Sequence, residues 1–196
     1  MTLKLLLGTR NQGKVAELRA LLRGLDVELE SVADLADPPP DPPEDAPSYA
    51  ENAVSKALAY ARATGLATIA DDSGLEVDAL GGAPGARSRR YFGEDLSPVE
   101  RNRMLLGLLD GVTERTARFV AVIALAQPDG RVETFDGEVR GEIAESPRGD
   151  DGFGYDPVFI IAADGRTMAE VPREEKNAIS HRGLAAAKLR AALADR

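Results

Sequence analysis

The sequence predicts an α/β fold in which a mixed β-sheet is flanked by helices. Three observations carry that expectation. An apolar pentapeptide, Leu3-Lys4-Leu5-Leu6-Leu7, runs into a glycine-bounded polar loop and then into a segment of helical periodicity, the opening of a βα unit. A second helix with its own capping signal is followed by a short apolar run, Ala67 to Ala70. Further on, Asp129-Gly130 separates two strand-like segments as a hairpin turn does, so the sheet is mixed rather than wholly parallel. A length of 196 residues suits one domain covering residues 1–196.

The elements follow in order. After the first strand, Gly8 to Gly13 is a loop; Val15, Leu18, Leu21 and Leu22 recur at helical spacing, and Gly24 ends that helix. Val27 to Val32 alternates like a strand. Asp37 to Pro47 consists almost wholly of prolines and acids, cannot form a regular element, and reads as a stiff exposed loop. Ser48-Tyr49-Ala50-Glu51 matches a capping box, and its helix continues to about Ala63. The strand from Ala67 to Ala70 is expected to end on Asp71-Asp72. Gly81, Gly82, Pro84 and Gly85 mark a tight loop. Ser97-Pro98-Val99-Glu100 is a second capping box, with proline at the first helical position, and opens a helix to about Asp110. Thr116 to Ala126 is apolar on both faces, as a central strand is. Strands are expected at Val132 to Phe135, Val139 to Ala144 and Val158 to Ile161, and a last helix from near Ser180 to the C-terminus.

Composition excludes several classes of function. Hydrophobic residues at 43% can fill a core, so global disorder is excluded. The absence of cysteine removes a disulfide scaffold, a thiol nucleophile, a cysteine-ligated zinc and an iron–sulfur cluster together. A formal net charge of −9 argues against a nucleic-acid polymer as partner. It leaves room for a nucleotide, because local cations and a metal can hold phosphates. No apolar run approaches the roughly 20 residues of a membrane helix, and Leu3 to Leu7 is too short for a signal-peptide core. A cytoplasmic protein is the expectation.

Gly8-Thr9-Arg10-Asn11-Gln12-Gly13-Lys14 fits G-x-x-x-x-G-K between a strand and a helix, where loop amides and the helix dipole favour an anion. Val15 stands where a Walker loop needs the magnesium-binding hydroxyl, which argues against a P-loop kinase or ATPase. A plain βα turn with a surface lysine is the other reading. Asp71 and Asp72 point to opposite faces if the backbone is extended, so one can face a site while the other anchors the loop; alternation alone does not say which. Glu51 has a ready structural reason in the capping box, yet Glu51 and Asp72 together are hard oxygen ligands suited to magnesium. Phe153-Gly154-Tyr155-Asp156 joins aromatic faces, which can stack on a nucleobase, to an acid that can read its polar edge; an aromatic corner before a strand is the alternative. Ser180 reads as an N-cap, which puts His181 and Arg182 in a first helical turn. The dipole disfavours cations there, so they need another reason, and a ligand is one. His181 is the single histidine and implies no histidine metal site.

Taken in order, these segments resemble the Ham1/RdgB family of inosine triphosphate pyrophosphatases. Thr9 to Lys14 is similar to that family's T-x-N-x-G-K loop, and Glu51-Asn52-Ala53 with Lys56 to its E-N-A-x-x-K helix. Ala70 to Gly74, Gly81 to Gly85 and Arg90-Tyr91 resemble the D-D-S-G-L, G-G-x-P-G and R-Y blocks. Phe153 to Asp156 and Lys176 to Arg182 complete the set. The resemblance implies an elongated mixed sheet with a central cleft between two lobes, a homodimer, magnesium as cofactor, and cleavage of ITP, dITP or XTP to the monophosphate and pyrophosphate. It implies that Thr9, Asn11 and Lys14 hold the triphosphate and that Glu51 and Asp72 carry magnesium. Asp72 would also be the base for water, and Ser73 would touch substrate. Phe153, Gly154, Tyr155, Asp156, Lys176, His181 and Arg182 would line the base pocket. An arginine only donates hydrogen bonds, so Arg182 would suit the O6 acceptor of hypoxanthine or xanthine and oppose the amino group of adenine.

Overall fold

The computed structural model describes residues 3–194. Its helices and strands run β1 (Leu3–Leu7), α1 (Gln12–Leu21), β2 (Val27–Ser31), α2 (Tyr49–Thr64), β3 (Ala67–Val77), α3 (Pro98–Leu108), β4 (Thr116–Ala126), β5 (Val132–Ile143), β6 (Phe159–Ile161), α4 (Arg173–Ile179) and α5 (His181–Ala194). The strands form one six-stranded sheet in the order β2-β1-β3-β4-β5-β6. β1 is parallel to β2 and to β3, and β5 is antiparallel to β6. Residues 127–131, which join β4 to β5, are too few for a crossover, so these two strands form the expected hairpin. Gln127 donates its amide to the Arg131 carbonyl at 2.8 Å, and Gly130 takes a φ of 97° in the turn. The mixed sheet flanked by helices is therefore as the sequence predicts.

Four elements differ from the sequence expectation. β3 does not end at Asp71-Asp72 but continues to Val77, so the two aspartates lie inside a strand. β5 is one strand rather than two, running on through Asp136, Gly137 and Glu138, and the second of its two glycines has a packing reason. A Cβ at Gly141 would stand 2.0 Å from the Ile160 carbonyl oxygen of β6. β2 stops at Ser31, because Ser31 caps a short 3-10 turn over Val32–Asp34 and its hydroxyl accepts from the Ala33 amide. α4, a seven-residue helix that periodicity did not reveal, precedes α5. The expected run of α5 to the C-terminus is met through Ala194; positions 195 and 196 lie outside the described residues.

The chain forms two compact units. Within the described residues, unit 1 comprises the chain through Asp72, Ala121–Gly137 and the chain from Arg182 onward; unit 2 comprises Ser73–Val120 and Glu138–His181. In unit 1 the alternation of β1 sorts its side chains. Leu5 and Leu7 pack with Val15 and Leu18 of α1, Ile69, Ile123, and Ala185 and Leu189 of α5. Leu6 packs on the opposite face against Val32 and Tyr60 of α2. Each such aliphatic side chain contributes roughly 1.5–3 kcal/mol by leaving water. In unit 2, Leu75 and Val77 of β3 pack with Leu105 of α3, Phe119, Val158 and Phe159. The Phe119 and Phe159 rings lie 4.5 Å apart between centroids.

Candidate active site

The glycine loop of unit 1 is built around Asn11. Asn11 Oδ1 caps α1 and accepts from the amides of Gly13 at 3.0 Å and Lys14 at 3.3 Å. Two of the amides that the sequence offered to an anion are therefore taken by the cap. Thr9 is tied in on both sides: its Oγ1 accepts from the Asn11 amide at 3.2 Å, and its carbonyl accepts from Ser31 Oγ at 3.3 Å.

The extended backbone of β3 sends Asp71 and Asp72 to opposite faces. Asp71 points to the face of α1 and α5. Its Oδ2 lies 3.1 Å from Lys14 Nζ and 3.1 Å from Arg182 Nε. Arg182 in turn donates from Nη1 to Glu17 Oε2 at 2.6 Å and is only 2% exposed. Burial alone would raise the Asp71 pKa, but the Lys14 and Arg182 cations outweigh it and hold the carboxyl well below the usual carboxylate range. Asp71 Oδ1 is buried with no hydrogen-bond partner. Burial lowers the Lys14 pKa, and the charges of Arg182 and Lys56 add to that; Asp71 opposes it.

Asp72 points to the face of α2, where its Oδ2 accepts from Asn52 Nδ2 at 3.0 Å. It is 5% exposed. Here burial wins: it pushes the Asp72 pKa upward against Lys14, Asn52 and Lys56, and the negative charge of Glu44 pushes the same way. Adjacent carboxyl groups thus shift in opposite directions, Asp71 governed by the Lys14 and Arg182 cations and Asp72 by its own burial.

Glu51 lies elsewhere on α2. Ser48 Oγ accepts the Glu51 amide at 3.2 Å and donates to Glu51 Oε2 at 2.7 Å. Only half of the expected capping box closes. In the complete box at the start of α3, Glu100 Oε2 also accepts from the Ser97 amide at 2.8 Å. Glu51 is exposed, and its carboxylate is directed at its own cap. The next residue, Asn52, stands about 100° further round the helix and is the one that meets Asp72. The acid whose charge bears on Asp72 is Glu44, in the proline-rich segment, where it pairs with Lys56. The sequence places Glu44 in a stiff exposed loop, where its signal is an acid in an irregular segment leading into the second motif helix.

A magnesium ion takes one or two carboxylates beside waters and phosphate oxygens. Asp72 and Glu44 offer hard oxygens, and the raised proton affinity of Asp72 marks a buried carboxylate that a cation would compensate. The donor set fits that ion. Among the described residues, no group of three or more His, Asp or Glu gathers as an all-protein cage.

In unit 2, Asp156 organises a second cluster. Its Oδ2 accepts from the Phe153 amide at 2.7 Å and from Lys176 Nζ at 2.7 Å, and the ammonium lies 5.0 Å from the centre of the Phe153 ring. Lys176, carried by α4, is 4% exposed. Gly152 adopts a φ of 81°, and a Cβ there would come 2.2 Å from Asp156 Oδ2, so only glycine fits. The Gly154 carbonyl accepts from Asn102 Nδ2 of α3 at 3.1 Å. Tyr155 is architectural: it is buried, its hydroxyl donates to the Ser88 carbonyl at 2.9 Å, and burial pushes its pKa up to about 12. His181 stacks on Phe119, with centroids 4.7 Å apart and planes 12° from parallel. Ser73 is half-buried in β3. The glycine after it is required, since a Cβ at Gly74 would stand 2.2 Å from the Gly85 carbonyl oxygen.

His181 and Arg182, neighbours in the first turn of α5, therefore have different surroundings. Ser180 before them is extended, as an N-cap is. The cation that the helix dipole disfavours is accounted for by Glu17 and Asp71.

The profile of the Ham1 family matches residues 5–192, and the chain belongs to that family. A dITP/XTP pyrophosphatase of Geobacter sulfurreducens is 50% identical over 189 residues, 95% of this chain and 94% of that protein. A dITP/XTP pyrophosphatase of Deinococcus radiodurans is 48% identical over 189 residues, covering 96% and 92%. Among solved structures, a HAM1 protein from Coxiella burnetii superposes with a TM-score of 0.90 at 40% identity, covering 99% of this chain and 100% of that one.

Proposed function

We propose that this protein is a hydrolase of deaminated purine nucleoside triphosphates, with residues 1–196 acting as one pyrophosphatase domain. ITP, dITP or XTP and one water give the monophosphate and pyrophosphate. The observation that carries the reading is the contrast at β3, where Asp71 holds Lys14 and Arg182 on one face while Asp72 meets Asn52 on the other and burial raises its proton affinity. The names of the dITP/XTP pyrophosphatase relatives support the substrate class.

In unit 1, Lys14 binds the triphosphate by charge, Thr9 by its hydroxyl, and Asn11 by its Nδ2 hydrogens, since its Oδ1 serves the cap. Asp72 and Glu44 would hold a magnesium ion, which supplies neutralisation of polyphosphate charge; Glu44 takes the role expected of Glu51. Asp72 accepts a proton from the attacking water, a task its raised proton affinity suits. Arg182 acts through Asp71, fixing the carboxylate that orients Lys14. Ser73 touches substrate.

In unit 2, Phe153 stacks on the base, and Lys176 and Asp156 read its edge. A 6-keto purine presents O6 as acceptor and N1–H as donor, which match an ammonium and a carboxylate. Adenine presents the opposite pair. Gly154 and Tyr155 shape the turn, and His181, stacked on Phe119, lines the base pocket. Val99, Met104 and Leu108, exposed on α3, support a homodimer. A cytoplasmic location fits a nucleotide-pool substrate, and among the described residues no helix is long and apolar enough to cross a membrane.

Steady-state kinetics test the substrate class. kcat/KM for ITP and XTP is expected to exceed that for ATP by about 10² or more, as mismatched polar groups at a hydrogen-bonding site require. Equal values for ITP and ATP would overturn the reading.

A further inference from the structure

The segment Asp37–Pro47 contains six prolines. Such a chain has few conformations to lose, so a small number of anchors can fix it. Anchors are spaced along it. Asp41 Oδ1 accepts both Arg10 Nε and the Tyr60 hydroxyl, each at 2.6 Å. Arg10 Nη2 donates to the Pro39 carbonyl at 2.8 Å. Further on, Glu44 pairs with Lys56. Asn52 then brackets Ala46: its Oδ1 accepts the Ala46 amide at 3.0 Å and its Nδ2 donates to the Ala46 carbonyl at 3.2 Å.

Three of these anchoring residues also serve the site. Tyr60 lies directly under the glycine loop: a Cβ at Gly8 would come 2.9 Å from Tyr60 Cδ2, so the ring that carries the Asp41-binding hydroxyl is also the floor of that loop. Arg10 stands between Thr9 and Asn11. Asn52 Nδ2 reaches Asp72 as well as Ala46. The proline-rich segment is thus fastened at one end to the glycine loop and at the other to the partner of Asp72, with Glu44 in between.

We propose that Arg10, Asp41 and Tyr60 form a latch that seats the proline-rich segment on the glycine loop and thereby positions Glu44 for the cation it would share with Asp72. The three are positioning residues, and the proposal rests on the reading of Glu44 given above. The latch joins a charge-assisted pair to a phenolic hydrogen bond on one oxygen. Asp41→Asn keeps the shape and removes the charge. Tyr60→Phe keeps the packed ring and removes the hydroxyl.

The test uses the whole nucleotide-free protein and three readouts: exchange of the Ala46 amide hydrogen, binding of Mn²⁺ followed by electron paramagnetic resonance, and pyrophosphate release from ITP as magnesium is varied. In Asp41→Asn, Ala46 is expected to exchange about tenfold faster. Mn²⁺ binding should weaken about three- to tenfold, the low range for groups that hold a metal ligand in place. The magnesium concentration for half-maximal rate should rise in parallel, with kcat at saturating magnesium within about twofold of wild type, because the ligands themselves remain. Tyr60→Phe should move the same readouts in the same direction by less. Arg19→Ala, which removes the surface pair with Asp34 at 2.8 Å on the same unit, should move none of them. Unchanged Ala46 exchange or unchanged Mn²⁺ affinity in Asp41→Asn overturns the latch, as does an equal effect of Arg19→Ala. A wild-type protein that releases no pyrophosphate overturns the catalytic reading alone, and the exchange and Mn²⁺ arms still decide the latch.

Discussion

Arg182 Nε stands 3.1 Å from Asp71 Oδ2, and neither side chain reaches solvent. With Glu17 on the other edge of the guanidinium, the arginine is held by two carboxylates and cannot leave either without stranding a buried charge. This gives Arg182 a place in the framework under Lys14 and sets what its loss should do.

Arg182→Ala is expected to destabilise the fold by about 3–5 kcal/mol, the usual cost of removing one partner of a buried ion pair. It should lower kcat/KM for ITP and for ATP by similar factors, because the change reaches the substrate through Asp71 and Lys14. Thermal melts and parallel kinetics on the two nucleotides check this. An unchanged melting temperature with a loss confined to ITP would make Arg182 a reader of the base instead.

The opposite shifts of Asp71 and Asp72 give opposite pH behaviour. Asp71 has a depressed folded pKa, so its contribution to stability is fully present above its unfolded value, about 3.9, and is lost as pH falls through the folded one. Asp72 has a raised folded pKa, so it favours the folded state at low pH and that advantage is lost as pH rises through the folded value. At neutral pH without metal, Asp72→Asn should therefore raise the melting temperature while cutting kcat by about 10²–10⁴. A variant that melts lower and keeps more than about a tenth of the rate would deny Asp72 the part of base.

Glu44→Gln and Glu51→Gln separate the two candidate ligands. Glu44→Gln should raise the magnesium needed for half-maximal rate by about tenfold or more, as loss of a carboxylate ligand does. Glu51→Gln should leave it unchanged, because its carboxylate faces the Ser48 hydroxyl. A magnesium titration in which Glu51→Gln shows the larger shift returns the metal to Glu51.

Asp156→Asn tests the base reader of unit 2. Asparagine can still accept from the Phe153 amide, so the turn should persist, but the negative partner of Lys176 is gone. The ITP-to-ATP ratio of kcat/KM should narrow by about one to two decades, the worth of a charged hydrogen bond. A proportional loss on both nucleotides would place Asp156 in the scaffold alone.

Much of the fold was legible because its signals are local. The apolar run of β1, the caps at Ser48 and Ser97, and the Asp129-Gly130 turn each act within a few residues, and each element stands where they put it. The length of β3 was not legible. Asp71, Asp72 and Gly74 read as a strand end, and they stay in the ladder because Lys14, Arg182 and Asn52 reach them from distant parts of the chain. The same non-local pairing explains Arg182, whose carboxylate partners are 165 and 111 residues away. Glu44 was hidden for another reason. Proline denies its segment any periodic pattern, and its bond to Lys56 is visible only once α2 is in place.

Phosphorus NMR of ITP incubated with the protein and magnesium distinguishes cleavage into monophosphate and pyrophosphate from loss of a single phosphate. The triphosphate signals are expected to give way to one pyrophosphate and one inosine monophosphate for each ITP consumed, with the rate abolished by a chelator. Release of orthophosphate with accumulation of the diphosphate, or no consumption of ITP at all, would contradict that cleavage.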